Sequence, residues 1–356
     1  MPCLHFLDMK RYKIEIEPKT LHFINPAGTS RGVYRTRQSY FLHLTDAQRC
    51  GIEGIGECAP LPDLSCDALP QAEYEERLRH FCNEFEQKGV IDYVAMQDYP
   101  SMLFGLETAL VQLDAQGSVD LFDTSFGKGN EGITINGLVW MGTFGEMFAR
   151  LEEKMKAGFR CVKLKIGAID FERELDLIRH IRTTFSKEQI ELRVDANGGF
   201  TAAEAMCRLE ALAKYDLHSI EQPIRQYQWE AMARLCANTP LPIALDEELI
   251  GVNHRERKIE LLETICPQYI ILKPSLHGGI VGTQEWISLA QERGIGSWIT
   301  SALESNIGLN AIAQLTAKVY GNDIQMAQGL GTGLLFSDNV PMPLEIRGDK
   351  LWIVKQ

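Results

Sequence analysis

The sequence predicts an α/β protein whose larger part is a closed (β/α) barrel. Between about residue 130 and residue 330, short apolar runs alternate with helical patterns that carry apolar residues at three-and-four spacing. Successive runs end in charged residues 25 to 30 positions apart, close to the roughly 30 residues that one strand and its crossover helix need. Eight such runs can be counted, and eight parallel strands alternating with helices form a barrel whose reactive groups gather at the strands' C-terminal ends.

The segment before the barrel predicts an α+β domain. Three stretches of loose alternation indicate an antiparallel sheet, and two helical patterns follow them. The strands are expected at 12–16, 39–44 and 52–57, and the helices at 71–87 and 101–115. Two irregular segments interrupt the pattern, at 26–31 and at 58–65. The first carries turn residues, and we expect it to be a mobile loop. We expect both segments to reach the barrel mouth and exclude water from it.

The barrel strands are predicted at the apolar runs themselves. Between the eighth run and Pro341 the sequence has no complete helical pattern. The tail alternates again from Leu344 and is expected to return to the N-terminal domain. The predicted units are an N-terminal α+β capping domain at 1–130, a barrel at 131–335 and a completing tail at 336–356. The eight runs are 133–139, 160–166, 191–195, 219–221, 242–246, 269–273, 296–302 and 324–328.

Composition excludes several classes of protein. A net charge of −12 argues against a nucleic-acid partner and against an anionic membrane surface, and no apolar run approaches the roughly 20 residues that span a bilayer. The nine cysteines are an odd number without paired close spacing, and no secretory segment opens the chain. We therefore expect reduced thiols and a cytoplasmic protein that acts on a small molecule, while the oligomeric state stays open.

The stretch Arg160 to Gly167 contains two lysines in an otherwise apolar strand. Alternation with a period of two places Cys161, Lys163 and Lys165 on one face. Since the apolar face must pack, the lysine face must look into a cavity. Two ammonium groups side by side in a cavity are unfavourable unless anions compensate them, and such a cost usually marks a working site.

Three carboxylates supply the anions. Asp195, Glu221 and Asp246 end three successive strands, so in a barrel they converge on one point. A single one of them is ordinarily a helix cap or a surface ion pair, but three in register would repel each other strongly unless a cation lies between them. Ligands that are all oxygen favour Mg²⁺, with Mn²⁺ as an alternative, over zinc.

Lys165 and Lys273 flank this trio from strands on opposite sides. A lysine ordinarily holds its proton near pH 7, but a nearby metal ion and a second lysine favour the neutral form. Neutral Lys165, adjusted by Lys163, would suit a weakly acidic proton α to a carboxylate, because a metal ion would stabilise the resulting enediolate. The ordinary alternative is a pair of lysines whose ammonium groups reach solvent at a barrel rim.

The charged strand ends resemble the motifs of the enolase superfamily, muconate-lactonizing-enzyme subgroup, and the resemblance covers nearly the whole chain. It implies a (β/α)7β barrel, in agreement with the missing last helix, and Mg²⁺ bound by the three carboxylates. Asn197 and Glu247 would hold those ligands in place. Glu248 is a departure, since many relatives carry serine there. The matching motifs are Lys163-Leu-Lys165, Asp195-Ala-Asn197, Glu221-Gln-Pro223, Asp246-Glu247 and Lys273-Pro274.

Within that subgroup, three further stretches resemble the o-succinylbenzoate synthase family of menaquinone biosynthesis: 56–62, 300–306 and 329–333. The resemblance implies dehydration of 2-succinyl-6-hydroxy-2,4-cyclohexadiene-1-carboxylate. Lys165 would remove the α-proton and then, protonated, assist departure of hydroxide from the same face, while Lys273 would face the enediolate as a cation. Three residues would contact the succinyl carboxylate or brace the site: Ser301, Glu304 and Ser305.

Other reactions use the same motifs. A racemase or epimerase of N-acylamino acids or dipeptides would use Lys165 and Lys273 as opposed acid and base. Dipeptide epimerases typically carry an Asp-x-Asp near the eighth strand, whereas 326–335 contains no acid. An N-succinylamino acid racemase activity therefore stays open, and a muconate cycloisomerase or a barrel without catalysis are more remote alternatives.

Overall fold

The computed structural model describes residues 11–29, 32–140, 142–167, 170–321 and 324–354. An N-terminal antiparallel sheet with two helices precedes a seven-stranded parallel sheet surrounded by helices, which confirms the predicted fold class. The strands are β1 (Tyr12–Thr29), β2 (Gly32–Asp46), β3 (Glu53–Cys58), β4 (Ile133–Thr134), β5 (Gly137–Val139), β6 (Cys161–Lys165), β7 (Glu191–Asp195), β8 (Ser219–Glu221), β9 (Ile243–Leu245), β10 (Tyr269–Leu272), β11 (Gly296–Ile299), β12 (Leu344–Arg347) and β13 (Lys350–Ile353). The helices are α1 (Gln71–Lys88), α2 (Pro100–Asp114), α3 (Phe144–Lys156), α4 (Phe171–Thr184), α5 (Ala205–Leu212), α6 (Trp229–Asn238), α7 (Arg255–Ile265), α8 (Gly279–Gln291) and α9 (Asn306–Tyr320).

The N-terminal sheet has the order β1-β2-β3, and β1 and β2 form a much longer hairpin than the sequence predicted. Ala27 pairs with Tyr34 and Thr29 pairs with Gly32, so the prediction of a mobile loop at 26–31 was wrong for its paired residues. A register shift between His22 and Ala27 interrupts the alternation, which is why the sequence pattern did not show the strand continuing. Ser30 and Arg31 lie outside the described residues.

Helix α2 packs directly on β3 because glycines remove the side chains between them. A Cβ atom added to Gly56 would lie 1.8 Å from the carbonyl oxygen of Gly105, and one added to Gly54 would lie 1.9 Å from that of Ala109. The helix backbone therefore lies against the strand backbone, at a distance that no larger residue allows. This contact fixes the position of the end of β3, which carries Glu57.

The parallel sheet runs from β5 to β11 in chain order. The eighth predicted strand, 324–328, is reduced to two isolated bridges, one between Gln328 and Ile135 and one between Gly329 and Thr300. These bridges join the last segment to both edges of the sheet and close the barrel. Among the described residues no helix follows α9, as the (β/α)7β expectation required.

The barrel interior is filled below the site by large side chains. The Arg193 guanidinium lies over the Trp298 ring, 4.5 Å from its centroid, and donates to the carbonyl oxygen of Ala327 at 2.9 Å. On β6 the outward residues Val162 and Leu164 are fully buried against the helices. The strand therefore has a packed outer face and a polar inner face, as its alternation predicted.

The C-terminal tail contacts two different parts of the molecule. Ser337 donates its backbone N–H to the carbonyl oxygen of His22, and Phe336 forms a bridge with Phe23, so this part of the tail joins β1. Strands β12 and β13, by contrast, form a hairpin that pairs with β4, the short strand that precedes the parallel sheet. The alternating part of the tail thus does not join the N-terminal sheet, and the three-unit division of the chain stays a prediction.

The described residues were expected to contain neither membrane-spanning helices nor paired cysteines. No helix among the described residues is long and apolar enough to cross a membrane. The eight cysteines in the described ranges are all free thiols.

Candidate active site

The six charged residues that the sequence singled out first lie together toward the C-terminal ends of the barrel strands. Lys165 is paired in register with Asp195, and Asp195 with Glu221. Their side chains meet: Lys163 Nζ lies 2.8 Å from Glu221 Oε2, and Lys165 Nζ lies 2.5 Å from Asp195 Oδ2. On the opposite side, Lys273 donates to Asp246 Oδ2. All three carboxylates are buried, whereas the lysines keep a small exposed fraction toward the cavity.

The three carboxylates repel one another, and the ammonium groups of the lysines beside them offset this repulsion. Burial disfavours ionisation of Asp195, but the ammonium groups of Lys165 and Lys163 outweigh it and keep the pKa of Asp195 below its ordinary value. Burial and then the neighbouring charge of Asp195 raise the pKa of Glu221 well above its ordinary value. Against the effect of burial, Glu221 and Asp195 raise the pKa of Lys163. Additional positive charge between the carboxylates would relieve their repulsion.

The two residues expected to hold the ligands in place are next to them. Asn197 accepts from Lys165 Nζ at 2.8 Å, and its Nδ2 donates to Glu247 Oε1 at 3.0 Å. Its backbone N–H donates to Asp195 Oδ1 at 3.0 Å. Asn197 adopts a positive φ of 43°, a conformation that asparagine tolerates better than most residues. One side chain therefore orients both a lysine and a carboxylate of the trio.

Glu248, the departure from the family pattern, has a defined structural place. It is fully buried, and its two oxygens accept from the backbone N–H of Tyr227 at 2.7 Å and from Gln222 Nε2 at 3.2 Å. Gln222 Oε1 in turn accepts from the backbone N–H of Asp246 at 3.2 Å. Glu248 thus supports the chain around Asp246 from behind.

The residues present fit a divalent cation by the chemistry of their donor atoms. As they stand, no three His, Cys, Asp or Glu side chains of the described ranges form a metal-holding cluster, since each carboxylate of the trio contacts a lysine. Asp246 Oδ1, however, is buried without a hydrogen-bond partner among the described residues. An orphaned carboxylate oxygen beside two other buried carboxylates is a donor set typical of a hard cation.

A cavity of about 470 Å³ opens over these groups. The three lysines and Glu221 form its charged floor, and Tyr34, Leu61 and Leu64 of the N-terminal domain form part of its wall. The segment 58–65 therefore reaches the barrel mouth as predicted. Much of the remaining lining is apolar, which fits a ligand with a carbon skeleton and few charged groups.

Of the three residues proposed to contact or brace a substrate, only Ser301 lines the cavity. Its hydroxyl is 2.6 Å from that of Thr332. Glu304 is fully buried and accepts from Ser275 Oγ and from the backbone N–H of Ala302. Ser305 caps helix α9 and donates to Glu57 Oε2 at 2.5 Å. The contacts of Glu304 and Ser305 favour the bracing role, which the sequence had left open.

Sequence reasoning missed two carboxylates that join the N-terminal domain to the barrel. Glu57 accepts from the backbone N–H groups of Ser305 and Gly308 at the start of α9, both at 2.9 Å. Glu107 of α2 accepts from the backbone N–H groups of Ile280 and Val281 at the start of α8. We call these two contacts the domain seam. A buried acid in an otherwise apolar strand or helix was the only signal that the sequence offered.

Two further side chains fix the groups around the site. Arg37 is 2% exposed and donates to carbonyl oxygens on both sides of the seam, at Ala59 (2.5 Å) and at Ala302 and Leu303 (both 3.3 Å). His277 accepts from the backbone N–H of Lys273 at 2.8 Å through Nδ1. Burial lowers the pKa of His277 to about 3, so this ring is a neutral acceptor.

Both parts of the chain match families of known proteins. The family model described as Enolase C-terminal domain-like matches residues 146–353, and the one described as MenC, N-terminal domain matches residues 29–113. The o-succinylbenzoate synthase of Desulfotalea psychrophila is 45% identical to this chain over 97% of this chain and 100% of that protein.

Two solved structures show the same architecture. The crystal structure of MenC from Desulfotalea psychrophila LSv54 has a TM-score of 0.80 and 41% identity, covering 96% of this chain and 99% of that chain. A dipeptide epimerase from Enterococcus faecalis V583, solved with Mg and the dipeptide L-Leu-L-Tyr, has a TM-score of 0.82 and covers 98% of both chains. At 20% identity this second likeness shows the fold alone.

Proposed function

Because the chain belongs to the enolase superfamily and, within it, to the o-succinylbenzoate synthase family, we propose that it converts 2-succinyl-6-hydroxy-2,4-cyclohexadiene-1-carboxylate to 2-succinylbenzoate in menaquinone biosynthesis. The reaction removes water. A C–H bond α to the ring carboxylate breaks, the C–O bond to the hydroxyl breaks, and the ring becomes aromatic. No oxidant or reductant is needed.

One observation carries the proposal: two lysines border the same carboxylate trio from different sides of one cavity. Lys165 contacts Asp195, and Lys273 contacts Asp246. Both lysines line the cavity together with Glu221. A carbon acid placed between them has a base on one side and a cation on the other, which is the arrangement that proton abstraction α to a carboxylate requires.

Lys165 is proposed as the group that moves the proton. Its neutral amine takes the α-proton of the substrate, and the resulting ammonium then returns that proton to the departing hydroxyl, so that water leaves. Asn197 Oδ1, 2.8 Å from Lys165 Nζ, orients the amine during both steps. A single group can perform both transfers only when the proton and the hydroxyl leave from one face.

Lys273 is proposed to remain protonated. Against the effect of burial, Asp246 keeps the pKa of Lys273 above its ordinary value. A permanent ammonium there offsets the negative charge of the enediolate as it develops. Lys163, which contacts Glu221 and lies 3.4 Å from Asp195 Oδ2, adds positive charge beside Lys165.

Asp195, Glu221 and Asp246 are proposed to hold Mg²⁺, or Mn²⁺ in its place. When bound, the ion would supply positive charge that acidifies the α-proton of a carboxylate substrate and offsets the negative charge of the three carboxylates. Asn197 and Glu247 keep the ligand carboxylates in place through the contacts described above.

The direct test is turnover of the cyclohexadiene substrate by the purified protein with Mg²⁺, followed by chromatography of 2-succinylbenzoate. We expect turnover that is lost with a chelator and restored by Mg²⁺. The variant Lys214→Ala, which changes an exposed lysine remote from the cavity, should keep the wild-type rate.

The rival activity is racemisation of N-succinylamino acids, which would use Lys165 and Lys273 as opposed acid and base. It is separated by incubation of such substrates in deuterated water with detection of α-deuterium by mass spectrometry. Fast exchange without any dehydration of the cyclohexadiene substrate would replace the proposed function by the racemase. Dehydration with slower exchange would make racemisation a secondary activity.

A further inference from the structure

The cavity contains a fourth lysine in addition to the three that contact the carboxylate trio. Lys154 in the last turn of α3 lines the same cavity, together with Phe159 and Ile346. A Cβ atom added to Gly137 would lie 3.2 Å from both Cγ and Cδ of Lys154, so the stem of this lysine covers β5 at its glycine. Gly137 pairs with Val162, the residue before Lys163. Because Val162 points outward, Lys154 lies on the outer side of β5, the strand next to the one that carries Lys163 and Lys165.

An incomplete barrel wall explains how the cavity reaches Lys154. The segment 324–329 joins this side of the barrel just before β5. There the carbonyl oxygen of Gln328 accepts from the backbone N–H of Asn136, and the backbone N–H of Gln328 donates to the carbonyl oxygen of Thr134, both at 2.9 Å. Beyond this point, no backbone hydrogen bond among the described residues joins 137–139 to 330–335. Residues of both segments line the cavity.

The charge of Lys154 is not neutralised by the protein. Of the four lysines that line the cavity, Lys163, Lys165 and Lys273 each contact a carboxylate of the trio. Lys154 forms no ion pair with an acid in the described part of the chain. Its ammonium lies 5.3 Å from the centroid of the Phe159 ring, a contact that positions a cation without removing its charge. One uncompensated cation thus faces a partly enclosed space.

We propose that Lys154 binds the carboxylate of the substrate that is remote from the reacting carbon, so that the cavity selects dicarboxylates. This inference rests on the proposed function, whose substrate and product each carry a ring carboxylate and a terminal succinyl carboxylate. The ring carboxylate would bind at the trio and its cation, so the succinyl carboxylate requires a positive charge of its own. Leu138 and Leu334 line the cavity and offer apolar surface to the methylene groups between the two carboxylates.

The test compares two ligands that differ only at the remote end. 2-Succinylbenzoate carries the terminal carboxylate, and 2-butanoylbenzoate has a methyl group in its place. Binding to the Mg²⁺-loaded enzyme is measured by calorimetry for wild type, Lys154→Met and Lys154→Arg. Lys156→Met is the matched control, because Lys156 is exposed in the same turn of α3 and does not line the cavity.

We expect Lys154→Met to weaken binding of 2-succinylbenzoate about tenfold, the order for a charge-assisted hydrogen bond, and to leave binding of 2-butanoylbenzoate unchanged. Lys154→Arg should retain most of the affinity, and Lys156→Met should match wild type with both ligands. In turnover, Lys154→Met should raise KM about tenfold with little change in kcat, since Lys154 does not contact the reacting carbon.

Two results overturn the inference while leaving the proposed function intact: equal weakening of both ligands by Lys154→Met, or no weakening of either, in an enzyme that still dehydrates the substrate. Absence of dehydration and of 2-succinylbenzoate binding in wild type would overturn both proposals together. Thermal unfolding of each variant shows whether a lost affinity reflects a lost fold.

Discussion

Two regions of the molecule bury acidic side chains, and they bind them with different groups. In the reactive centre, Asp195 and Asp246 contact the ammonium groups of Lys165 and Lys273. In the domain seam, Glu57 and Glu107 contact backbone N–H groups at the first turns of α9 and α8. Both arrangements remove carboxylates from water, but only the first does so with groups that can lose a proton.

The difference shows how one fold separates chemistry from support. A lysine can exchange its proton or give up its carboxylate to a cation, so the charges of the reactive centre can be redistributed during turnover. The N–H groups of a helix N-terminus are fixed, and the helix dipole favours an anion there. The seam is therefore suited to holding the N-terminal domain over the cavity, so substitutions in the reactive centre should act on turnover and substitutions in the seam on stability.

Replacing Lys165 by alanine should give the largest effect. Because the proposed proton carrier is lost, we expect kcat to fall by about 10³-fold or more, while the melting temperature changes little. Lys273→Ala should also abolish turnover with the fold intact. Near-normal rates in either variant would contradict the assignment of the reactive centre, and Lys214→Ala serves as the control.

Asp195→Ala should remove metal binding together with activity. Isothermal titration with Mg²⁺ should show one site in wild type and at least about 100-fold weaker binding in the variant, because one of three carboxylate ligands is missing. Glu53→Ala, which removes an exposed acid of β3, should bind Mg²⁺ as wild type does. Unchanged Mg²⁺ affinity in Asp195→Ala would remove Asp195 from the ligand set.

In the domain seam, Glu57→Ala should act on stability. The change leaves four buried donors without their acceptor, the hydroxyls of Ser39 and Ser305 and two backbone N–H groups. We expect a loss of about 3 kcal/mol in the free energy of unfolding, measured in urea. Glu53→Ala on the same strand should cost less than about 0.5 kcal/mol. A variant Glu57→Ala as stable as wild type would show that the seam is not a support.

Glu107 should make stability depend on pH. Burial raises the pKa of Glu107 to about 8, against the lowering effect of the hydrogen bonds from Ile280 and Val281. The folded state therefore holds a proton that the unfolded chain has released above its ordinary pKa of 4.5. The contribution of Glu107 is thus fully present below that value and is lost as pH rises toward 8, by at most about 1.4 kcal/mol per pH unit.

Glu107→Gln cannot ionise, so it tests the direction in which stability changes with pH. Because the amide keeps only one of the two acceptors for Ile280 and Val281, we expect the variant to be less stable than wild type at pH 5 and this deficit to shrink at pH 8, as measured by urea unfolding at both values. The control is Glu76→Gln, at an exposed acid of α1, which should follow wild type at both values. An equal stability difference between Glu107→Gln and wild type at both pH values would show that Glu107 takes up no proton on folding.

Ser301→Ala should give the smallest effect. Ser301 lines the cavity, but its hydroxyl already bonds to Thr332, so a substrate gains little from it. We expect KM to rise no more than about threefold, with kcat unchanged, in steady-state assays. A loss of 100-fold would instead place Ser301 among the groups that act on the reacting atoms.

Sequence patterns were enough to predict the barrel and the composition of the reactive centre. Strand alternation is local, so it placed Lys163 and Lys165 on one face without knowledge of the fold. The regular spacing of charged strand ends then brought Asp195, Glu221 and Asp246 to one edge, because parallel strands in a barrel end at the same side. These inferences needed only short-range pattern and one topological rule.

Three features become visible only in the folded chain: the domain seam, the bracing contacts of Ser305 and the place of Lys154 in the cavity. Glu57 accepts from the backbone N–H of Ser305, 248 residues further along the chain, and Glu107 accepts from that of Ile280, 173 residues away. Their partners are backbone N–H groups, which nearly every residue possesses and which therefore leave no mark in a sequence. Only the folded chain selects which helix ends meet a carboxylate, because that choice depends on the packing of two domains.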